Sequence, residues 1–196
     1  MKIDFWFEFA STYSYPAAMR VEDAAHALGL DVAWRPFLLG PIFKSQGWED
    51  SPFNIYPAKG RYMWRDMERL CADLDLPLHR PSRFPRGSLP AARLVARFAS
   101  ASWAPAFVRG VYLANFAEDR DIGDPAVLAS VLESVGQSAD LLDEASSDQA
   151  KAALRANTDE AIALGLFGAP SFTVGDELFW GNDRLESALR FATRGD

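Results

Sequence analysis

Lys2-Ile3-Asp4-Phe5-Trp6-Phe7-Glu8-Phe9 alternates, with Ile3, Phe5, Phe7 and Phe9 on one parity and Lys2, Asp4, Trp6 and Glu8 on the other. Side chains of a strand point to opposite faces in turn, so this spacing predicts a strand with one apolar face. After the polar break Ala10-Ser11-Thr12-Tyr13-Ser14, Pro16 stands where a first helical turn tolerates it. Ala18, Val21, Ala25 and Leu28 then recur at helical spacing until Gly29. Leu30, Val32 and Trp34 alternate with Asp31, Ala33 and Arg35 before Pro36, which predicts a second strand. A helix of about four turns between two strands is long enough to be a crossover, and crossovers join parallel neighbours. The chain opens with a βαβ unit.

The texture changes at Gly40. A Gly/Pro/Ser-rich stretch reads as a loop to Lys59, and helix-period segments follow near 58–74, 88–99, 103–116, 125–135, 138–145 and 147–164, with no strand signal among them. Strand pattern returns at Ser171-Phe172-Thr173-Val174. A turn at Gly175-Asp176 and the run Glu177-Leu178-Phe179-Trp180 complete a hairpin. Asp183 is placed to cap a last helix reaching about Ala192. Neither half-sheet would be stable alone. The order therefore predicts an α/β fold whose halves, 1–39 and 165–196, form one split sheet around an all-helical insertion, 40–164.

Composition narrows the chemistry. At 196 residues and 49% hydrophobic, the chain is one folding unit with a real core. Lys plus Arg is 20 against 27 for Asp plus Glu, a net charge of −7, which disfavours nucleic acid and anionic membranes as partners. The single cysteine, Cys71, permits neither an internal disulfide nor a dithiol redox pair. Two histidines, His26 and His79, are too few for a histidine-built metal site. Acids interrupt the apolar start and no stretch approaches roughly 18 apolar residues, so a cytoplasmic protein without a membrane span is expected.

Candidate site residues sit where an open α/β sheet places ligands, outside the carboxyl ends of its strands. Ser11 and Ser14 follow the first strand and precede a helix start, where a hydroxyl can donate to an anion; Ser11 or Thr12 can equally serve as a simple helix cap. Neither histidine stands in a setting that would make a serine nucleophilic. Pro170, in Gly168-Ala169-Pro170-Ser171, precedes the third strand. If cis, it would offer the neighbouring backbone groups to an extended ligand; if trans, it merely starts the strand. Trp180-Gly181-Asn182-Asp183-Arg184 forms another polar helix start. Lys44 and Asn54, in the long loop, are suited to hold a carboxylate and a peptide group. Trp48, Phe53, Phe84 and Trp103 can line a pocket for an aromatic ring or belong to the core. The arginine run that includes Arg61, Arg65, Arg69, Arg80, Arg83 and Arg86 reads as a solvated helical face, and Cys71 as a buried structural thiol.

Asp4-Phe5-Trp6-Phe7-Glu8-Phe9-Ala10-Ser11 with Ser14-Tyr15, Phe167-Gly168-Ala169-Pro170, Gly175-Asp176-Glu177 and Trp180-Gly181-Asn182-Asp183-Arg184 together resemble the 2-hydroxychromene-2-carboxylate isomerases. That family is grouped with the kappa-class glutathione transferases and the DsbA-like thioredoxin fold. The likeness spans essentially the whole chain, including Pro57, Lys59, Tyr62, Pro85 and Ser88. It implies a thioredoxin-like domain, a cis Pro170, a homodimer, and bound glutathione whose thiol is held by Ser11. Ser11-Thr12-Tyr13-Ser14 stands where the thioredoxin fold normally has Cys-x-x-Cys, so the reactive sulfur has to come from a cofactor. The resemblance further implies that Ala169 pairs with the glutathione backbone, that Asp183 with Asn182 and Gly181 takes its γ-glutamyl end, and that Lys44 and Asn54 hold other polar groups; Phe84, Pro170 and Trp180 complete the expected glutathione-binding set. The implied substrate is a small aromatic 2-oxo acid or its cyclic hemiketal, isomerised by reversible thiolate addition. A kappa-type transferase or peroxidase is the alternative, and a non-catalytic peptide-binding module a third. The chain departs from the family pattern at Thr12, where proline is frequent, at Glu8, where aspartate is frequent, and at Gly87, where asparagine is frequent.

Overall fold

The computed structural model describes residues 1–194. A four-stranded sheet in the order β2-β1-β3-β4 is built from β1 (Lys2–Phe7), β2 (Asp31–Pro36), β3 (Ser171–Val174) and β4 (Glu177–Trp180). As the crossover predicts, β1 and β2 are parallel, Phe5 lying opposite Trp34. The hairpin β3–β4 joins the other edge of β1 antiparallel, with Phe5 opposite Phe172. The sequence-distant halves thus form one sheet, with β1 at its centre.

Helix α1 (Ser14–His26) joins β1 to β2. The block between β2 and β3 carries α2 (Leu39–Ser45), α3 (Pro52–Ile55), α4 (Pro57–Asp73), α5 (Leu89–Arg97), α6 (Ala104–Phe116), α7 (Pro125–Ser134), a 3-10 segment (Ala139–Ser146) and α8 (Asp148–Ala163). A 3-10 turn (Asn182–Arg184) and α9 (Leu185–Arg194) follow the hairpin. One hydrophobic cluster runs from Phe5, Phe7 and Val21 into Met63, Leu94, Phe107, Val111 and Leu128, so the inserted helices share the core of the sheet.

Within the fold, several expectations are corrected. Two short helices, α2 and α3, occupy the stretch read as loop. Pro52 stands in the first turn of α3, where the missing N–H costs nothing, and Ser51 Oγ accepts the N–H of Phe53 at 3.3 Å. The segment near 138–145 is 3-10 rather than α, because over two turns the periods 3.0 and 3.6 select nearly the same apolar positions. Trp6, on the polar parity of β1, is 1% exposed. It packs in a second cluster with Phe37, Ile42, Ala161 and Leu166, and its Nε1 donates to Thr173 Oγ1 at 3.0 Å. A central strand with helices on both sides is buried on both faces, so its alternation marks two environments of one core rather than core and solvent. Arg86 is buried rather than solvated. It pairs with Asp119 and donates to the carbonyl oxygens of Asn115, Asp119 and Arg120. Cys71 is buried as expected, and burial pushes its thiol up to about 11.

Candidate active site

The carboxyl ends of β1 and β4, the start of β3 and the first inserted helices enclose a cavity of about 1670 Å³. Ser11 stands on its wall, between β1 and the start of α1. It is not a helix cap, since the N-cap of α1 is Tyr13 and no side chain accepts there. Instead its Oγ donates to the carbonyl oxygen of Ala169 at 2.9 Å, across 158 residues of sequence. The Ala169–Pro170 peptide bond is cis. The Ala169 N–H donates to no protein acceptor among the described residues. Beside Ser11, Thr12 is 1% exposed and its Oγ1 has no partner among the described residues, although Thr12 also lines the cavity. Ser14 is fully buried and does not line it.

The end of β4 supplies Trp180, Gly181, Asn182 and Asp183. Trp180 is half-exposed and meets Phe167 edge to face at 4.8 Å. This indole lies so close to Gly168 that a Cβ there would fall 2.4 Å from Nε1. Gly181 has φ +111, and a Cβ on it would fall 2.5 Å from Asp183 Oδ1, so the turn needs glycine twice over. Asn182 is buried, its Oδ1 taken by Arg20 at 2.9 Å, and it serves to fix this turn. Asp183 does not cap α9. It lies inside the 3-10 turn with its carboxylate 72% exposed, 3.2 Å from Arg184.

The opposite wall belongs to the insertion. Phe43, Trp48, Phe53 and Phe84 give it an apolar surface, and Phe84 is held edge to face against Trp64 at 5.2 Å. Lys59, Asp66 and Arg69 of α4 add charge. Tyr13 donates to Asp66 at 2.9 Å and so ties this wall to the Ser11 loop; burial first, then this bond, raises the Tyr13 phenol. Lys59 lies 4.8 Å above the ring of Tyr56.

Of the residues proposed from sequence, Ser11, Phe84, Ala169, Pro170, Trp180, Gly181, Asn182 and Asp183 meet on this one cavity. Lys44 and Asn54 do not line it. Lys44 ends the exposed side of α2, while Asn54 donates to Asp50 at 3.1 Å and faces a smaller cavity of about 640 Å³ with Arg61 and Arg80. Trp48 and Phe53 line the main cavity, whereas Trp103 packs on Phe98 and Phe107. Sequence reasoning passed over Glu8 and Ser88 as a pair. Glu8 Oε1 accepts the Ser88 hydroxyl at 2.6 Å and Oε2 the Ala10 N–H at 3.2 Å, and both residues line the cavity. The available signal was a carboxylate on the strand end three residues before Ser11.

The strand order and the cis proline opposite the helix start that carries Ser11 define a thioredoxin fold. A family model described as a DSBA-like thioredoxin domain matches residues 2–191. The 2-hydroxychromene-2-carboxylate isomerase of Sphingobium xenophagum is 35% identical over 187 residues, 94% of each chain. Human glutathione S-transferase kappa 1 is 26% identical over 94% of this chain and 87% of its own length. A solved 2-hydroxychromene-2-carboxylate isomerase superposes with a TM-score of 0.88 at 28% identity, covering 99% of this chain and 97% of the other. The chain belongs to the 2-hydroxychromene-2-carboxylate isomerase family of DsbA-like thioredoxin proteins, which places it beside the kappa-class glutathione transferases.

Proposed function

We propose that this protein is a glutathione-dependent isomerase of 2-hydroxychromene-2-carboxylate or a related aromatic 2-oxo acid. The observation that carries the reading is the Ser11 hydroxyl bonded to the carbonyl before Pro170 on the wall of a large cavity, in a chain whose only cysteine is buried elsewhere. A cavity of about 1670 Å³ has room for a tripeptide and a small aromatic acid together.

The residues present fit glutathione. The free Ala169 N–H and its carbonyl can pair with a peptide lying alongside, and the orphaned Thr12 Oγ1 supplies another polar group at the same place. Asp183 suits the ammonium of a γ-glutamyl end. Lys59 and Arg69, together with the more distant Lys44, are candidates for carboxylates.

When bound, glutathione would supply a thiolate able to add reversibly to a conjugated double bond, making it for that time a single bond about which rotation is free. The protein's part is electrostatic. When a peptide N–H takes over the Ala169 carbonyl, the Ser11 hydroxyl is released to donate toward the sulfur, and the N-terminal end of α1 favours negative charge at that point. An ordinary thiol titrates near 8.5, so such donation raises the thiolate fraction at neutral pH. Phe53 and Phe84 hold the aromatic ring against the apolar wall.

Mixing the protein with 2-hydroxychromene-2-carboxylate, with and without glutathione, and following the absorbance tests this directly. A glutathione-dependent conversion is expected, and its absence overturns the reading. The likeness to human glutathione S-transferase kappa 1 favours one alternative, conjugation of an electrophile. Product mass separates the two, because a retained thioether means transferase and an unchanged mass means isomerase.

A further inference from the structure

Glu8 is the one carboxylate on the cavity wall held by the Ser11 segment itself. Its backbone carbonyl accepts the Ser11 N–H at 3.0 Å and the Tyr112 hydroxyl at 2.9 Å, so the main chain beneath it is pinned from two sides. Its side chain is oriented by two donors, Ser88 Oγ at 2.6 Å and the Ala10 N–H at 3.2 Å, and reaches the cavity between them. Both donors are neutral.

Arg86, two residues from Ser88, also lines the cavity, but its guanidinium is bound to Asp119 and to three carbonyl oxygens. Burial pushes the Glu8 carboxyl above its ordinary value, while the bonds from Ser88 and Ala10 pull it down by less. Tyr112, from α6, is the titratable group packed against it, and burial holds that phenol well above its ordinary range. Lys59, Asp66, Arg69 and Asp73 face the same cavity from α4, Glu49 and Asp50 from the loop after α2, and Asp183 from the turn after β4.

We propose that the Glu8 carboxyl is the proton donor and acceptor of this cavity, giving a proton to an oxygen of the bound 2-oxo acid and taking it back. This rests on the reading of the site given above. Opening a hemiketal, or placing charge on a conjugated ketone, builds electron density on oxygen and calls for a positioned acid. The carboxyl O–H bond breaks as the ligand O–H bond forms. The resulting carboxylate keeps the two hydrogen bonds from Ser88 and Ala10, and the reverse transfer restores both partners, so no proton is consumed over a turnover. Ser11 holds the anion and Glu8 handles the proton, from one short segment. Ser88 is a positioning residue, since its donation favours the charged form of Glu8 and keeps the proton transferable.

Glu8→Gln tests the role, because the amide oxygen still accepts from Ser88 but the group carries no transferable proton. With 2-hydroxychromene-2-carboxylate as substrate, kcat is expected to fall about 10²-fold, with glutathione affinity within about twofold of wild type. Wild-type turnover should fall on the alkaline side as Glu8 ionises. Ser88→Ala, which removes a bond that favours the carboxylate, should move that limb to higher pH. Infrared difference spectra of wild type minus Glu8→Gln, without ligand, should show a neutral carboxyl band persisting above the ordinary glutamate pKa of about 4.3. Turnover of Glu8→Gln within about threefold of wild type overturns the proposal, as does absence of that band. If Glu8→Gln fails to fold, an alkaline limb that Ser88→Ala leaves unmoved overturns it as well. Failure of wild type to bind glutathione would remove the function proposed above and this role with it. Intact binding with undiminished Glu8→Gln turnover would remove only the role of Glu8.

Discussion

The two walls of the cavity are built differently. The sheet-end wall presents, around the ring of Trp180, backbone groups and short side chains, Ser11, Thr12, Ala169 and Gly181, fixed by strand register and tight turns. The insertion wall is made of large rings and long charged side chains, Phe53, Phe84, Lys59 and Arg69, borne on short helices and loops. Rigid strand ends can hold reacting groups to within about 0.5 Å, as catalysis requires, whereas an apolar wall selects by shape and tolerates exchange. In the function proposed above, thiolate stabilisation falls to the first wall and choice of substrate to the second.

Changing Ser11 should break the comparison most sharply. Loss of one donor to a developing anion typically costs about 10²-fold in turnover. Loss of one hydrogen bond costs folding only about 1 kcal/mol. Ser11→Ala is therefore expected to lower kcat about 10²-fold while its urea midpoint stays near that of wild type, and comparable losses in both would make Ser11 a structural residue. Phe84→Ala attacks the other wall and should raise KM for the aromatic acid about tenfold with little effect on glutathione affinity, as measured by steady-state kinetics and calorimetry. A smaller change is expected at Asp183, whose carboxylate is exposed and shared with Arg184. Asp183→Asn should weaken glutathione three- to tenfold, roughly the scale of one solvent-screened ionic contact, and leave KM for the acid unchanged.

The smallest effect concerns the loop that carries Phe84 and Ser88. The backbone N–H of Ser82 and then Arg86 hold the Asp119 carboxyl down at about 2. The folded state thus binds this proton more weakly than the unfolded chain. The stability Asp119 contributes is complete above its ordinary value and is lost as pH falls through about 2. Urea midpoints measured across that window should fall for wild type and stay flatter for Asp119→Asn.

How far each wall was legible in the sequence follows from the same contrast. Ser11, Ala169 and Pro170 were placed at strand ends, located by the alternation of Ile3, Phe5, Phe7 and Phe9 and by the run Ser171-Phe172-Thr173-Val174, and the structure sets all three on one cavity. Trp6 was assigned to a polar face because parity cannot tell a solvent face from a second core. Lys44 and Asn54 were placed with the site on side-chain chemistry and family resemblance, yet the turn of α2 and the Asp50 contact direct them away from the main cavity. Whether a loop residue faces a cavity depends on how the loop folds, and no local period encodes that. Arg86 shows the same limit, since only its tertiary partners distinguish a buried guanidinium from a solvated one.

The central claim is that the protein lends a hydroxyl to a sulfur it does not own. Ultraviolet titration of the thiolate of protein-bound glutathione tests it most directly, in wild type and in Ser11→Ala. The account predicts an apparent pKa clearly below the ordinary thiol value of about 8.5 for wild type and a return toward that value in the variant. An unshifted thiol in wild type, or an equal shift in both proteins, would contradict it.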